Sequence, residues 1–278
     1  MPLTSQTLKR VSTFIFDLDG VIWRGNSPIE GAVASVERLR ALGKRCFYAT
    51  NNSSRAPQWF VERLQGMGIA AQPEEIVTSA TATASYVAHY FSNPRVFVVG
   101  EDGVQNLLRG IGAQVFTLEN VEETDAVEVV VAGIDRSFNY EKLKWAQAFI
   151  LQGARFIATN RDATFPIEGG VVPGAGSIVS AIETASGTVP VSLGKPEPQM
   201  LLEILAQFGL QKEEVAMVGD RLDTDIACGA RAGIGTILVG TGVTPLETAR
   251  EASGEQLPDL LFADLPAMVA ALDRGQAR

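Results

Sequence analysis

Val11-Ser-Thr-Phe-Ile-Phe-Asp-Leu-Asp-Gly-Val21 is the stretch that decides the fold. Its nearly continuous apolar run reads as a strand buried on both faces of a parallel sheet. The run stops at two carboxylates, Asp17 and Asp19, followed by Gly20. Both acids therefore fall at the carboxyl end of a strand, where open α/β sheets place their ligands. Two carboxylates this close repel each other unless a cation or a proton intervenes. The simplest such cation is Mg²⁺, which prefers oxygen ligands. Asp and Gly also serve as helix caps and turns, so this stretch alone leaves both readings open.

Three further segments bear on the choice. Cys46-Phe-Tyr-Ala-Thr-Asn-Asn-Ser-Ser54 is a second buried strand, ending in hydroxyl and amide side chains. Thr50 and the backbone N–H groups after it suit a phosphate oxygen, and equally a polar cap for a helix starting near Pro57. Gly194-Lys195-Pro196 offers a single lysine, ordinarily a solvated charge. Val215-Ala-Met-Val-Gly-Asp-Arg-Leu-Asp-Thr-Asp225 ends a third apolar strand in three acids, which calls for a metal or a cationic partner.

In this order the four segments resemble the haloacid dehalogenase superfamily of phosphotransferases. The match is to its Asp-x-Asp, Thr/Ser, Lys and Gly-Asp-x-x-x-x-Asp motifs, at 17–19, 50, 195 and 219–225. Thr-Asn-Asn-Ser at 50–53 and Gly-Asp-Arg-Leu-Asp-Thr-Asp at 219–225 narrow the resemblance to one branch. That branch contains p-nitrophenylphosphatases, 2-phosphoglycolate phosphatases, pyridoxal phosphate phosphatases and a bacterial nucleotide phosphatase. The resemblance runs from residue 11 to about residue 245 and meets no departure at a chemical position.

It implies an α/β fold: a Rossmann-like parallel-sheet core with an inserted α/β cap domain of the C2 type. The core is expected over 1–83 and 190–278, and the cap over 84–189. It also implies a Mg²⁺-dependent phosphomonoesterase working through an aspartyl phosphate. Asp17 would be the nucleophile and Asp19 the general acid and base. Mg²⁺ would be held by Asp17, the backbone carbonyl of Asp19 and Asp220, with Asp225 behind them orienting metal-bound water or Lys195. Lys195, Thr50 and the Asn51 N–H would hold the phosphoryl group, and Asn52 would link core to cap. In Ala158-Thr-Asn-Arg-Asp-Ala-Thr-Phe-Pro166, Asn160 and Asp162 are candidates for selecting the substrate. The branch points first to 2-phosphoglycolate, with p-nitrophenyl phosphate as a laboratory substrate. Nucleotides, pyridoxal phosphate and sugar phosphates stay open, as do a phosphotransferase or mutase and a non-catalytic phosphate-binding regulator.

Composition narrows the chemistry independently. A net charge of −9 over 278 residues disfavours a nucleic-acid backbone or an anionic membrane surface as partner. No apolar window is long enough to span a bilayer and no secretory leader is evident, so a cytoplasmic location is expected. A homodimer formed through the cap is a further expectation. Cysteine phosphatases pair Cys with Arg six positions on, whereas Cys46 leads to Asn52 and Cys228 to Ile234. The one histidine, His89, lies in Tyr-Val-Ala-His-Tyr-Phe rather than Arg-His-Gly, and reads as a structural helix residue. An aspartate nucleophile is the chemistry left.

Elsewhere the pattern alternates strand and helix. In the core, strands are predicted at 12–16, 44–49, 214–218 and 236–239. Helices are predicted near 31–42, after Pro57, over Met200–Phe208 and near 265–273. The insert carries its own alternation: strands 95–99, 127–132 and 155–158, and helices 103–110, 140–152 and 175–186.

Overall fold

The structure is a computed structural model that describes residues 3–4, 6–167 and 170–276. Its internal contacts divide the chain into two compact units. The first comprises Met1–Thr50, Phe60–Val77 and Lys195–Arg278, and the second Asn51–Trp59 and Thr78–Gly194. The insert is thus longer at both ends than the expected 84–189. It also takes in the segment after Thr50, whose hydrogen bonds go to residues near 79 and 160.

The first unit is built on a six-stranded sheet. From one edge its strands are Leu260–Phe262, Gly235–Val239, Val215–Gly219, Thr13–Phe16, Arg45–Thr50 and Ile76–Thr78. Numbered by their order in the chain and read from the other edge, they run 3-2-1-4-5-6. That is the doubly wound order in which ligands bind outside the carboxyl ends of the strands, where the order reverses. The reversal falls between Thr13–Phe16 and Val215–Gly219. Thr13–Phe16 is parallel to both its neighbours and buried throughout, as its apolar run requires. Helix Ala32–Ala41 turns Ala32, Val36 and Leu39 inward, and helix Gln199–Phe208 buries Met200, Leu201, Ile204 and Leu205. These are the faces that the i, i+4, i+7 spacing predicted.

The second unit has a five-stranded parallel sheet: Val191–Ser192, Arg155–Ala158, Val129–Ala132, Arg95–Val99 and Gln114–Phe116. By chain order it runs 2-1-3-4-5, the other common doubly wound arrangement, with its reversal between Arg95–Val99 and Val129–Ala132. Helices Asp102–Gly110, Tyr140–Leu151 and Ala175–Ser186 match the predicted segments closely. An antiparallel hairpin, Thr164–Ile167 with Gly170–Pro173, and the short strand Gln114–Phe116 were not anticipated. His89 is exposed on helix Ser79–Tyr90, edge-on to Tyr90. Cys46 and Cys228 are buried thiols. Among the described residues, no helix is long and apolar enough to cross a membrane.

Candidate active site

Sheet register assembles the site. Phe16 pairs with Val218 on one side and Tyr48 on the other. The residues just beyond these three therefore emerge together at the carboxyl edge: Asp17, Gly219 with Asp220, and Ala49 with Thr50. The Asp17 N–H donates to Val218 O at 2.9 Å, carrying the ladder one residue further. Lys195 arrives from a distant part of the chain. Its buried Nζ donates to Asp17 Oδ1 at 2.5 Å, Asp225 Oδ1 at 2.6 Å and Ala49 O at 3.1 Å.

Asp225 lies within a π-helical turn, Leu222–Ile226, a rare form that often marks functional positions. Its second oxygen accepts the N–H groups of Asp220 and Arg221, at 3.2 and 3.1 Å. Asp225 therefore braces both Lys195 and the turn that presents Asp220. Asp223, between them in sequence, is exposed and paired with Arg221.

Asp17, Asp220 and Asp225 each offer a carboxylate oxygen within 4.8 Å of the others. Against one ammonium, three carboxylates leave two negative charges uncompensated. Burial pushes the Asp17 carboxyl well above its usual range; Asp225 and Asp220 push it the same way, and Lys195 opposes them. Burial likewise pushes Asp220 up to about 7, reinforced by Asp225 and opposed by the Val243 N–H. Lys195 is held protonated: burial alone would lower its pKa, but Asp17 and Asp225 outweigh it and raise it.

Asp220 supplies the clearest sign of a missing partner. Its Oδ2 accepts the Val243 N–H at 2.6 Å, while its buried Oδ1 has no hydrogen-bond partner. Glycines make its room. A Cβ at Gly242 would lie 1.8 Å from Asp220 Oδ2, and one at Gly20 would lie 2.5 Å from it. A buried anionic oxygen without a donor, in an all-oxygen cluster with excess negative charge, fits a hard divalent cation such as Mg²⁺.

Asp19 stands apart from that cluster. Its Oδ1 accepts the indole N–H of fully buried Trp23 at 2.8 Å. Burial raises its pKa, with Trp23, Arg63 and Lys195 acting in opposition. The Arg63 guanidinium lies 4.1 Å from the Trp23 ring centroid. Neither Trp23 nor Arg63 was identified from the sequence. The available signal was Trp23 four residues after Asp19, on an apolar turn whose Leu18, Val21 and Ile22 are all buried.

Asn51, Asn52, Asn160 and Asp162 lie in the second unit. Asn52 Oδ1 accepts from the N–H and hydroxyl of Ser54, closing a local turn. Asn51 is held by Asp162 and Asn160, so these three expected residues do come together. Thr50, the last residue of its strand, is buried in the first unit.

Two family models match the chain, one described as haloacid dehalogenase-like hydrolase over residues 14–114 and one as HAD-hydrolase-like over 192–268. Acid sugar phosphatases of Staphylococcus epidermidis and Staphylococcus aureus are 38% and 39% identical over 267 residues, covering 96% of this chain and 100% of each relative. A 4-nitrophenylphosphatase structure from Thermotoga maritima superposes with a TM-score of 0.87 at 36% identity, covering 96% of this chain and 99% of that one. A glycerol phosphate phosphatase from Mycobacterium tuberculosis, in complex with magnesium, gives 0.85 at 32% identity over 94% of this chain and 77% of that one.

Proposed function

This chain belongs to the haloacid dehalogenase-like hydrolases and is a phosphatase, and from that premise we propose that it hydrolyses a sugar phosphate through an aspartyl phosphate on Asp17. The single observation carrying the mechanism is the buried Asp17–Lys195–Asp225 chain beside Asp220, whose Oδ1 is unpaired. The substrate reading rests on the acid sugar phosphatases, which match over their whole length.

Phosphate esters resist attack because their oxygens repel an anionic nucleophile, so a site must neutralise charge and align the reaction. Asp17, Asp220 and the backbone carbonyl of Asp19 would hold Mg²⁺, which when bound offsets phosphoryl and carboxylate charge. Lys195 adds a fixed positive charge beside Asp17. Thr50 and the Asn51 N–H would hold phosphoryl oxygens. In the first step a carboxylate oxygen of Asp17 attacks phosphorus, the ester P–O bond breaks and Asp19 gives its proton to the leaving oxygen. In the second, Asp19 takes a proton from water, whose oxygen attacks the phosphorus of the aspartyl phosphate. Asp17 and inorganic phosphate are released. Burial suits Asp19 to the proton-donating role, because it raises the pKa of the carboxyl and so favours its protonated form.

The second unit would act as a substrate-selecting cap. The test is phosphate release with Mg²⁺ over a panel of sugar phosphates, 2-phosphoglycolate, nucleoside monophosphates, pyridoxal phosphate and p-nitrophenyl phosphate. A sugar phosphate should give the highest kcat/KM among metabolites. Preference for 2-phosphoglycolate would replace the substrate reading and leave the mechanism standing. No release from any ester, while inorganic phosphate still binds, would favour a non-catalytic protein.

A further inference from the structure

Asn51 is held at both its side chain and its backbone. Its Nδ2 donates to both carboxylate oxygens of Asp162, at 3.1 and 3.0 Å. Its carbonyl oxygen accepts from Ser79 Oγ at 2.7 Å and from Asn160 Nδ2 at 2.8 Å. Asn160 Oδ1 accepts the Asp162 N–H at 3.0 Å, locking the two braces together. Asn160 is buried, with both ends of its amide committed to the chain's own backbone. Gly194 leaves the space required: a Cβ there would lie 2.7 Å from Asn51 Oδ1.

The residues after Asn51 are held just as closely. Thr159 Oγ1 donates to Ser53 Oγ at 3.2 Å. A Cβ on Gly133 would lie 2.9 Å from Ser53 Oγ, and one on Gly103 would lie 2.5 Å from the Arg55 nitrogen. Gly133 directly follows Val129–Ala132, and Gly103 lies just past Arg95–Val99. These two strands flank the reversal point of the second sheet, the place where such sheets bind ligands. Here the chain's own Ser53–Arg55 occupies that place.

We infer that Asp162, Asn160 and Ser79 are positioning residues for the phosphate-holding turn at Thr50–Asn51, acting through Asn51 on the phosphoryl end shared by every substrate. This rests on the proposed role of Thr50 and Asn51 in holding phosphoryl oxygens. It departs from the role expected for Asp162 from the family resemblance, selection of the substrate. A residue acting through the turn weakens phosphoryl binding alike in substrate, transition state and product. A residue touching the leaving group changes only substrates that carry its partner.

The experiment uses the full-length enzyme with Mg²⁺ and three variants: Asp162→Ala, Asp162→Asn and Ser79→Ala. It compares kcat/KM for p-nitrophenyl phosphate, kcat/KM for the sugar phosphate hydrolysed fastest, and the inhibition constant of inorganic phosphate. Asp162→Ala should lower both kcat/KM values by a similar factor, roughly 10-fold for loss of this charge-assisted contact, and raise the phosphate inhibition constant in parallel. Asp162→Asn keeps one acceptor for Asn51 and should recover part of that loss. Ser79→Ala, which removes a neutral donor to the Asn51 carbonyl, should give a smaller change of the same pattern. A loss confined to the sugar phosphate, or an unchanged phosphate inhibition constant in all variants, overturns the inference. If Asp162→Ala does not fold, Ser79→Ala decides by the same criteria. Failure of the underlying phosphatase reading would show already in the unaltered enzyme, as absence of both phosphate release and phosphate inhibition.

Discussion

The Trp23 indole N–H donates to Asp19 Oδ1 at 2.8 Å, on the residue proposed as general acid and base. An indole N–H can only donate. Oδ1 is therefore fixed as an acceptor, and the transferable proton must ride on Oδ2. Trp23→Phe keeps the ring and removes the donor. A hydrogen bond to a charged group contributes about 1.5–3 kcal/mol, so kcat/KM for a sugar phosphate should fall at least ~10-fold. The loss on p-nitrophenyl phosphate should be smaller, because its leaving group needs little protonation. Equal losses on both substrates would mean that Trp23 acts through packing alone.

Mg²⁺ should stabilise the fold as well as activate it. Asp17, Asp220 and Asp225 are mutually repulsive when ionised, and a cation that binds only the folded state adds stability by mass action. Thermal unfolding should shift upward with Mg²⁺ concentration, and the shift should largely vanish in Asp220→Asn. Chelation should abolish phosphate release. A chelated enzyme with full activity would exclude the metal site.

Gly242→Ala isolates the steric part of the same site. Its Cβ would fall 1.8 Å from Asp220 Oδ2, so the carboxylate or the loop must move. Overpacking of this kind costs about 1–3 kcal/mol, and the displaced Asp220 should weaken metal binding. Differential scanning calorimetry with and without Mg²⁺ checks both effects. An unchanged Tm together with an intact metal shift would show that the loop yields freely.

Glu203, on helix Gln199–Phe208, provides a separate pH prediction. Burial pushes its carboxyl up to about 7. Because the folded state then binds a proton more tightly than the unfolded chain, stability falls as pH rises from about 4.5 toward 7, and the loss is complete above that. Glu203→Gln should therefore raise Tm at pH 8 and leave it nearly unchanged at pH 4.5. Thermal melts at the two pH values decide it. An equal rise at both would assign the gain to packing or hydrogen bonding instead of ionisation.

Much of this site was legible in the sequence because strands buried on both faces announce themselves as apolar runs, and their ends show where chemistry emerges. Asp17, Thr50 and Asp220 all follow from that logic, and the register of Phe16 with Val218 and Tyr48 explains why they meet. Helix Ala175–Ser186 likewise falls on the predicted 175–186. What stayed hidden depends on contacts across long separations or on space instead of side chains. Asn51 and Asp162 are 111 positions apart, and nothing local in either marks the other as partner. Gly242 matters for the Cβ it lacks. The hairpin at Thr164–Ile167 was obscured by Pro166, which reads as a stop. The boundary at Thr50 was missed because Asn51–Trp59 continues a core motif in sequence while its contacts lie with the insert.

The most direct test is to look for the phosphoryl group on Asp17. The enzyme is mixed with excess sugar phosphate and Mg²⁺, quenched in acid during turnover, digested and mapped by mass spectrometry. Acyl phosphates are further reduced with borohydride to fix the position. One added phosphoryl group is expected on the peptide carrying Asp17, converted to homoserine at that residue by reduction, and absent from Asp17→Asn. Phosphoryl transfer to another residue, or undiminished turnover in Asp17→Asn, would contradict the proposed mechanism.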